Sequence, residues 1–385
     1  MAKKIKHLLF LLALSIIPTI LLWLPFFLRI EQFWGIPLPR EGMAIISSNY
    51  DGPLYIVVAK TFYNLKEISE KFSFPLPAEY YAAHFPLFPL LIRLVASLRI
   101  VYPYAMLATT VSSSFLALYF FNKFIKKYVD DKNALFLTAA FAIFPARWLI
   151  VRSVGSPEPL FIASIIASVY YFQDKKYLKA GLWGAIAQLT KSAGIILFIS
   201  YMGVTIYRLF KRLGSIHKDA SCATELKTLP VLLIPLSLVA VFYLFKLTMN
   251  DFFAYFHSGD NIHLFFPPFQ IFNYSASWVG TFWLEEIVFI YLIGVIGVLT
   301  LVKQKQEVLA FYTGFFFLSI IFVSHRDLMR YSLPLVPFFY AAFAKYLVKK
   351  EFKIALLFII IPVFLFSLAY ISQNTMPISN WGELL

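Results

Sequence analysis

The strongest constraint in this chain is a recurrence of apolar runs about as long as a bilayer is thick. Leu8 to Leu28 is the first, and from residue 104 onward others follow at 104–122, 134–150, 158–173, 178–190, 193–209, 229–248, 284–302, 307–323, 331–348 and 354–372. A helix rises about 1.5 Å per residue, so roughly 20 apolar residues cross ~30 Å of hydrocarbon. No water reaches the backbone there, so each crossing segment must satisfy its own N–H and C=O groups as a helix. The composition agrees: 60% of the 385 residues are hydrophobic and 14% are charged, with a mean hydropathy of +0.75. The sequence predicts an all-α polytopic membrane protein, a single domain over residues 1–385 built on about 11 transmembrane helices. Segments 178–190 and 193–209 are short enough to be two halves of one broken helix.

Charge sets the sidedness. A net charge of +14 would point to nucleic acid in a soluble protein. Here the cations gather in short clusters between apolar runs, among them Lys123, Lys126 and Lys127, then Lys175, Lys176 and Lys179, then Lys349, Lys350 and Lys353. Cytoplasmic loops collect lysine and arginine in this way, so no nucleic-acid partner is expected and the N-terminus is placed in the cytoplasm. Met1 to Lys6 followed by an apolar run looks like a signal peptide. Phe26-Phe27-Leu28-Arg29 is a poor cleavage site, so an uncleaved first span is expected. Residues 29–101 then form a long first external loop and 249–283 a second. Within the first, Tyr55 to Leu65 reads as amphipathic. Residues 84–101, with two prolines, Arg93 and Arg99, read as an interfacial or partly inserted helix on the outer side. A lone cysteine, Cys222, rules out an intramolecular disulfide, and no CxxC, HExxH or Walker-type string occurs.

This assignment leaves the informative polar residues on one side. Asp51 sits in Ser47-Ser48-Asn49-Tyr50-Asp51-Gly52-Pro53-Leu54-Tyr55, shortly after the first span. Arg147 and Arg152 flank the end of one apolar run, and Ser156-Pro157-Glu158-Pro159 opens the next. Lys191 lies in Gln188-Leu189-Thr190-Lys191-Ser192-Ala193-Gly194, and Arg326 and Arg330 precede Tyr331-Ser332-Leu333-Pro334. Each has an ordinary explanation: a turn for Asp51, a favourable helix-dipole charge for Glu158, and cations reaching up to the interface for the rest. Ionisable groups at membrane depth are costly, however, and here they converge on one leaflet. Cations beside an acid suit a phosphate-containing lipid substrate: the cations neutralise phosphate and the acid handles a proton. Asp251, His257, Asp260 and His263 fall in the second loop at spacings that match no standard metal set. A carbohydrate- or lipid-facing aromatic loop is expected there, with a divalent ion left open.

The strings Tyr50-Asp51-Gly52-Pro53-Leu54-Tyr55, His84-Phe85-Pro86-Leu87-Phe88-Pro89, Ser156-Pro157-Glu158-Pro159-Leu160-Phe161, Leu189-Thr190-Lys191-Ser192-Ala193-Gly194 and Arg330-Tyr331-Ser332-Leu333-Pro334 occur in this order over about residues 48–340. Together they resemble the GPI mannosyltransferase II family and its prokaryotic relatives, within the GT-C class of polyprenyl-phosphate-sugar glycosyltransferases. Tyr50 stands where that family has tryptophan, Lys191 where it has arginine, and Pro157 enters before Glu158. The resemblance implies a GT-C-like bundle and an external or lumenal active site. Its reaction is transfer of a hexose, expected to be mannose, from a polyprenyl- or dolichyl-phosphate sugar to a glycan or glycolipid hydroxyl with inversion. It makes Asp51 the catalytic base and Lys191, Arg152, Arg330, His84, Glu158 and Tyr55 substrate-binding candidates, with no cofactor. The compartment follows from the source: plasma membrane in a prokaryote, endoplasmic reticulum in a eukaryote.

Two rival readings use the same composition. A lipid or solute transporter or flippase places its charges and broken helices near the midplane, commonly in repeated halves. A membrane assembly factor needs no chemistry. The long first loop, charges at outer helix ends and absence of a repeat favour the enzyme over the first, and Asp51 with its ordered motifs favours it over the second.

Overall fold

The computed structural model describes residues 2–213, 227–259, 264–273 and 284–385; Cys222, Asp260 and His263 lie outside them. The first helix, α1 (Ala2–Phe27), is followed by a two-residue hairpin of β1 (Gln32–Phe33) and β2 (Ile36–Pro37), antiparallel with Phe33 opposite Ile36. Short helices α2 (Met43–Ser47), α3 (Gly52–Thr61), α4 (Leu65–Lys71) and α5 (Leu87–Ala96) complete the first loop. The bundle continues with α6 (Tyr102–Ile125), α7 (Asp131–Ile143), α8 (Ala146–Val151), α9 (Glu158–Gln173), α10 (Tyr177–Thr190) and α11 (Ile195–Leu213). It closes with α12 (Leu233–Met249), α13 (Glu285–Lys303), α14 (Glu307–Ile320), α15 (Leu328–Ser332), α16 (Val336–Ala342), α17 (Ala344–Leu347) and α18 (Lys350–Gln373).

Among the described residues six helical segments are long and apolar enough to cross a membrane: Lys4–Phe27, Tyr102–Ile125, Ser192–Arg212, Leu229–Met249, Glu285–Lys303 and Lys350–Gln373. The chain is an integral membrane protein on this ground, but the expected count of about 11 does not carry over. The shortfall has local causes. The run 134–150 is split at Phe144-Pro145 into α7 and α8. The run 331–348 breaks into α15, a 3-10 turn over Leu333–Leu335, α16 and α17, where Pro334 and Pro337 withhold the backbone donors a continuous helix needs. Helices α9 and α10 are continuous but have only 16 and 14 residues.

These shorter helices give the bundle two polar ends. Ser156 and Glu158 lie at one end of α9, and Gln173 and Asp174 at the other. There they share a cavity with Lys127, Arg208, Gln306 and Glu307, so the ends of α6 and α9, the distal part of α11 and the start of α14 meet. Sixteen residues of helix separate the two ends by about 24 Å.

The first loop folds as a second core. Leu54, Ile56, Val57 and Val58 of α3 are fully buried against Tyr63, Phe85, Phe88 and Phe245. The reading of Tyr55 to Leu65 as amphipathic is therefore corrected: α3 is apolar because it is enclosed on almost every side, with Lys60 the partly exposed exception near its end. Helix α5 differs, burying Phe88 and Ile92 while Leu90 and Leu94 stay exposed. The segment after α18 packs back onto this loop. Asn49 Nδ2 donates to Ile371 O at 2.9 Å, Asn49 pairs with Thr375 in an antiparallel bridge, and the Met376 N–H donates to Ser48 O at 2.8 Å. Lys60 Nζ donates to Glu383 O at 2.8 Å, and Leu384 is fully buried.

Arg152 serves this framework. Its guanidinium is wholly buried and donates to Leu14 O at 3.0 Å, to Ser15 O at 2.6 Å and to Ala142 O. It satisfies carbonyls of α1 and α7 that a bilayer-embedded chain must not leave bare. The sequence-based assignment of Arg152 to a substrate phosphate is corrected accordingly.

The two-ended arrangement predicts accessibility. With Cys222 replaced by serine, Glu70→Cys should react with an impermeant maleimide added outside intact cells, and Lys305→Cys should react only after permeabilisation. Labelling of position 305 in intact cells would invert the bundle.

Candidate active site

The site begins at a tight turn. Tyr50 takes a left-handed backbone, φ 49°, a conformation that disfavours bulky side chains. Its ring packs 5.8 Å from that of Tyr370, and the Arg330 guanidinium stacks 4.0 Å over it. The turn leaves Asp51 at the N-cap of α3, where its side chain makes no capping bond. The Asp51 carboxylate is instead 40% exposed, with Oδ2 3.9 Å from an Arg330 nitrogen. Gly52 is required here for space: a Cβ would lie 2.9 Å from Ser47 O and 3.2 Å from Gly155 O. That close approach brings the loop leading into α9 against the Asp51 turn.

Glu158, the first residue of α9, is the centre of the cluster. It is 3% exposed, and its Oε1 accepts from Lys191 Nζ at 2.6 Å and from Arg330 Nε at 2.7 Å. Ser156 Oγ donates to the other oxygen. Each cation arrives from a break in a helix. Helix α10 stops at Thr190, and Lys191 is extended at φ −151° and ψ 145° before a 3-10 turn over Ser192–Gly194 leads into α11. Gly194 permits the turn, since a Cβ there would lie 2.5 Å from the Gln188 Cα. Arg330 sits on the five-residue helix α15. Lys191 keeps 30% of its side chain exposed, and Glu158 takes one of its three donors.

His84 and Tyr55 form the adjoining wall. Their rings meet edge to face at 4.7 Å, and Tyr55 meets Phe88 the same way at 5.1 Å. His84 is 2% exposed, and among the described residues its Nδ1 has no hydrogen-bond partner. Burial pushes its imidazole below the ordinary histidine range, with the Asp51 charge acting in the opposite direction. The ring is therefore neutral near pH 7 and lies within electrostatic reach of Asp51, Arg330 and Lys191.

Of the residues singled out from sequence, Asp51, Glu158, Lys191, Arg330, His84 and Tyr55 come together, and Arg152 does not. A second buried pair stands behind them and was missed as such. Arg147 Nε lies 3.0 Å from Asp327 Oδ1 with both side chains about a tenth exposed or less. The Arg147 guanidinium stacks 3.7 Å over the Tyr370 ring, and Tyr370 Oη donates to Asp327 Oδ2 at 3.3 Å. The Arg330 N–H donates to Asp327 O at 2.9 Å, so this pair anchors α15. The acid within His325-Arg326-Asp327 was the available signal. In the second loop, Asp251 Oδ2 lies 2.6 Å from His257 Nδ1 on an exposed turn. Among the described residues no three His, Cys, Asp or Glu side chains converge as a metal set.

Two solved structures share this arrangement of helices. ArnT from Cupriavidus metallidurans, solved bound to undecaprenyl phosphate, aligns with 90% of this chain at 12% identity and a TM-score of 0.53. The archaeal oligosaccharyltransferase AglB from Archaeoglobus fulgidus, solved with an inhibitory peptide and a dolichol-phosphate, aligns with 96% at 13% identity and a TM-score of 0.50. This chain shares the membrane fold of these two structures. The chain spans 62% of the length of the ArnT chain and 57% of the AglB chain. No family model and no curated protein matches the chain.

The cluster makes two opposite predictions about stability. Glu158→Gln leaves Lys191 and Arg330 without their shared counter-charge in a buried place, where breaking such a pair costs about 3–5 kcal/mol. Asp51→Asn changes a partly exposed group without a capping bond and should stay within about 0.5 kcal/mol of wild type. Thermal unfolding in detergent distinguishes them; equal midpoints for the two variants contradict the central place of Glu158.

Proposed function

We propose that this chain is a membrane glycosyltransferase that moves a sugar from a polyprenyl- or dolichyl-phosphate carrier to a hydroxyl of a glycan or glycolipid. The observation that carries the reading is the grouping of exposed Asp51 with two cations, Lys191 and Arg330, locked in place by buried Glu158. Asp51 Oδ takes the proton from the acceptor hydroxyl. The resulting oxygen attacks the anomeric carbon as the bond from that carbon to the phosphate oxygen breaks, and inversion follows from attack on the opposite face. The lipid phosphate leaves with one more negative charge, which Lys191 and Arg330 meet. Because Glu158 fixes both cations beforehand, little reorganisation is needed as that charge grows.

Glu158 takes a different part from the one its sequence position implied. With both oxygens engaged by Lys191, Arg330 and Ser156, it positions the cations and offers little to a sugar hydroxyl. His84 and Tyr55 form the wall against which the sugar rests. Mannose as the sugar, an external or lumenal active site and kinship with the GPI mannosyltransferase II family belong to the same proposal. They rest on the ordered strings around Asp51, His84, Glu158, Lys191 and Arg330. Solved neighbours of the same fold that hold undecaprenyl phosphate and a dolichol-phosphate support a lipid-phosphate donor. The reading invokes no cofactor.

Transfer from a radiolabelled polyprenyl-phosphate mannose in proteoliposomes tests the assignment. Asp51→Asn should lower the rate by about 10²–10⁴-fold at matched expression, and a variant that keeps more than roughly a tenth of the activity removes Asp51 as the base. Loss of a charge-assisted contact costs ~1.5–3 kcal/mol, so Lys191→Gln should fall roughly ten- to a hundredfold while Lys191→Arg keeps much of the rate. Equal kinetics for wild type and Lys191→Gln would take Lys191 out of the phosphate site.

A further inference from the structure

At the end of the bundle remote from Asp51, two neighbouring cavities of about 390 Å³ and 300 Å³ share Gln173 and Arg208 in their walls. Lys127 and Lys305 line the larger, and Lys175 and Arg212 line the smaller. Among the described residues, four of these cations, Lys127, Lys175, Arg208 and Lys305, stand with two carboxylates, Asp174 and Glu307, both in the larger cavity. Lys127 is held 2.7 Å from Asp174, and Arg208 2.8 Å from Glu307, so these two cations are fixed parts of the wall. Cytoplasmic loops ordinarily collect cations. Here they converge on concave space between helix ends and leave a surplus of positive charge.

The backbone supplies an independent observation. Helix α9 ends with the Lys176 N–H donating to Tyr171 O at 2.9 Å and the Lys175 N–H to Phe172 O at 3.0 Å. Helix α13 ends in the same pattern, Gln306 to Leu301 at 3.0 Å and Lys305 to Val302 at 2.9 Å. In this helix-ending motif the left-handed residue is ordinarily glycine. Here the two positions hold Lys175 at φ 57° and Lys305 at φ 56°. Both helices accept a strained residue where glycine is easier, and both residues are lysines lining the same trough. Strain retained at paired positions points to use.

We propose that this trough binds a phosphate-bearing anion with two or more negative charges, on the opposite side of the membrane from the Asp51 site. A guanidinium and several ammonium groups around a polar wall match that chemistry. Such a group comes from a soluble compound or from the headgroup of an anionic lipid in the adjoining leaflet.

The test uses the full chain and the variant Lys175→Gly/Lys305→Gly. Glycine suits both backbone conformations, so the helix ends are kept or strengthened while two charges disappear. Lys175→Asn/Lys305→Asn is a second variant that tolerates the same φ. Inorganic pyrophosphate in detergent, or phosphatidic acid in phosphatidylcholine nanodiscs, should raise the thermal midpoint of the wild-type protein. Apparent affinity should fall at least about tenfold in either double variant. A shift with pyrophosphate assigns a soluble anion, and a shift confined to phosphatidic-acid nanodiscs assigns a lipid headgroup. No shift with either probe, or equal affinity in wild type and variants, overturns the proposal.

Discussion

A single buried carboxylate decides how this bundle can close. Glu158 is removed from water, and an unpaired charge in such a place is untenable. Its partners come from far along the chain: Lys191 from the break between α10 and α11, and Arg330 from α15. The requirement that both reach one oxygen fixes where those two breaks lie relative to the start of α9. Arg330 then carries the constraint outward, through its stack on Tyr50 and its approach to Asp51. Arg147 and Asp327 repeat the logic one layer behind, paired with each other and steadied by Tyr370.

Much of this was legible in the sequence because charge inside a hydrophobic chain is conspicuous. Lys191 stood between two short apolar runs and Glu158 at the head of another, and both mark real helix ends. What the pattern could not separate was a charge that faces substrate from one that faces backbone. Arg152 and Lys191 look alike in sequence, yet one donates to carbonyls of α1 and α7 and the other to a carboxylate at a partly open surface. Two of the carbonyls that claim Arg152, those of Leu14 and Ser15, belong to residues far away in the chain, so no local signal shows them. Likewise α3 seemed amphipathic because periodicity reports which positions are apolar and not how many sides are covered. Hydropathy also joins runs that Pro145, Pro334 and Pro337 interrupt.

The likeness to ArnT and AglB is one of architecture, at identities of 12% and 13%. That level of divergence leaves individual contacts free to change while the bundle persists. The two helix breaks and the loop after α1 are the parts of the architecture that place Lys191, Arg330 and Asp51.

The bridge between Asn49 and Thr375 has a consequence for how the protein is made. Residue 49 emerges early in synthesis and residue 375 only after α18, yet the two hold opposite sides of the turn that carries Asp51. Domains form as the chain is elongated, N-terminal parts first. For most of that time the Asp51 turn lacks the strand that pins it, and Glu158 lacks Arg330. The acid and its cations therefore reach the arrangement seen here only after α18 has been made.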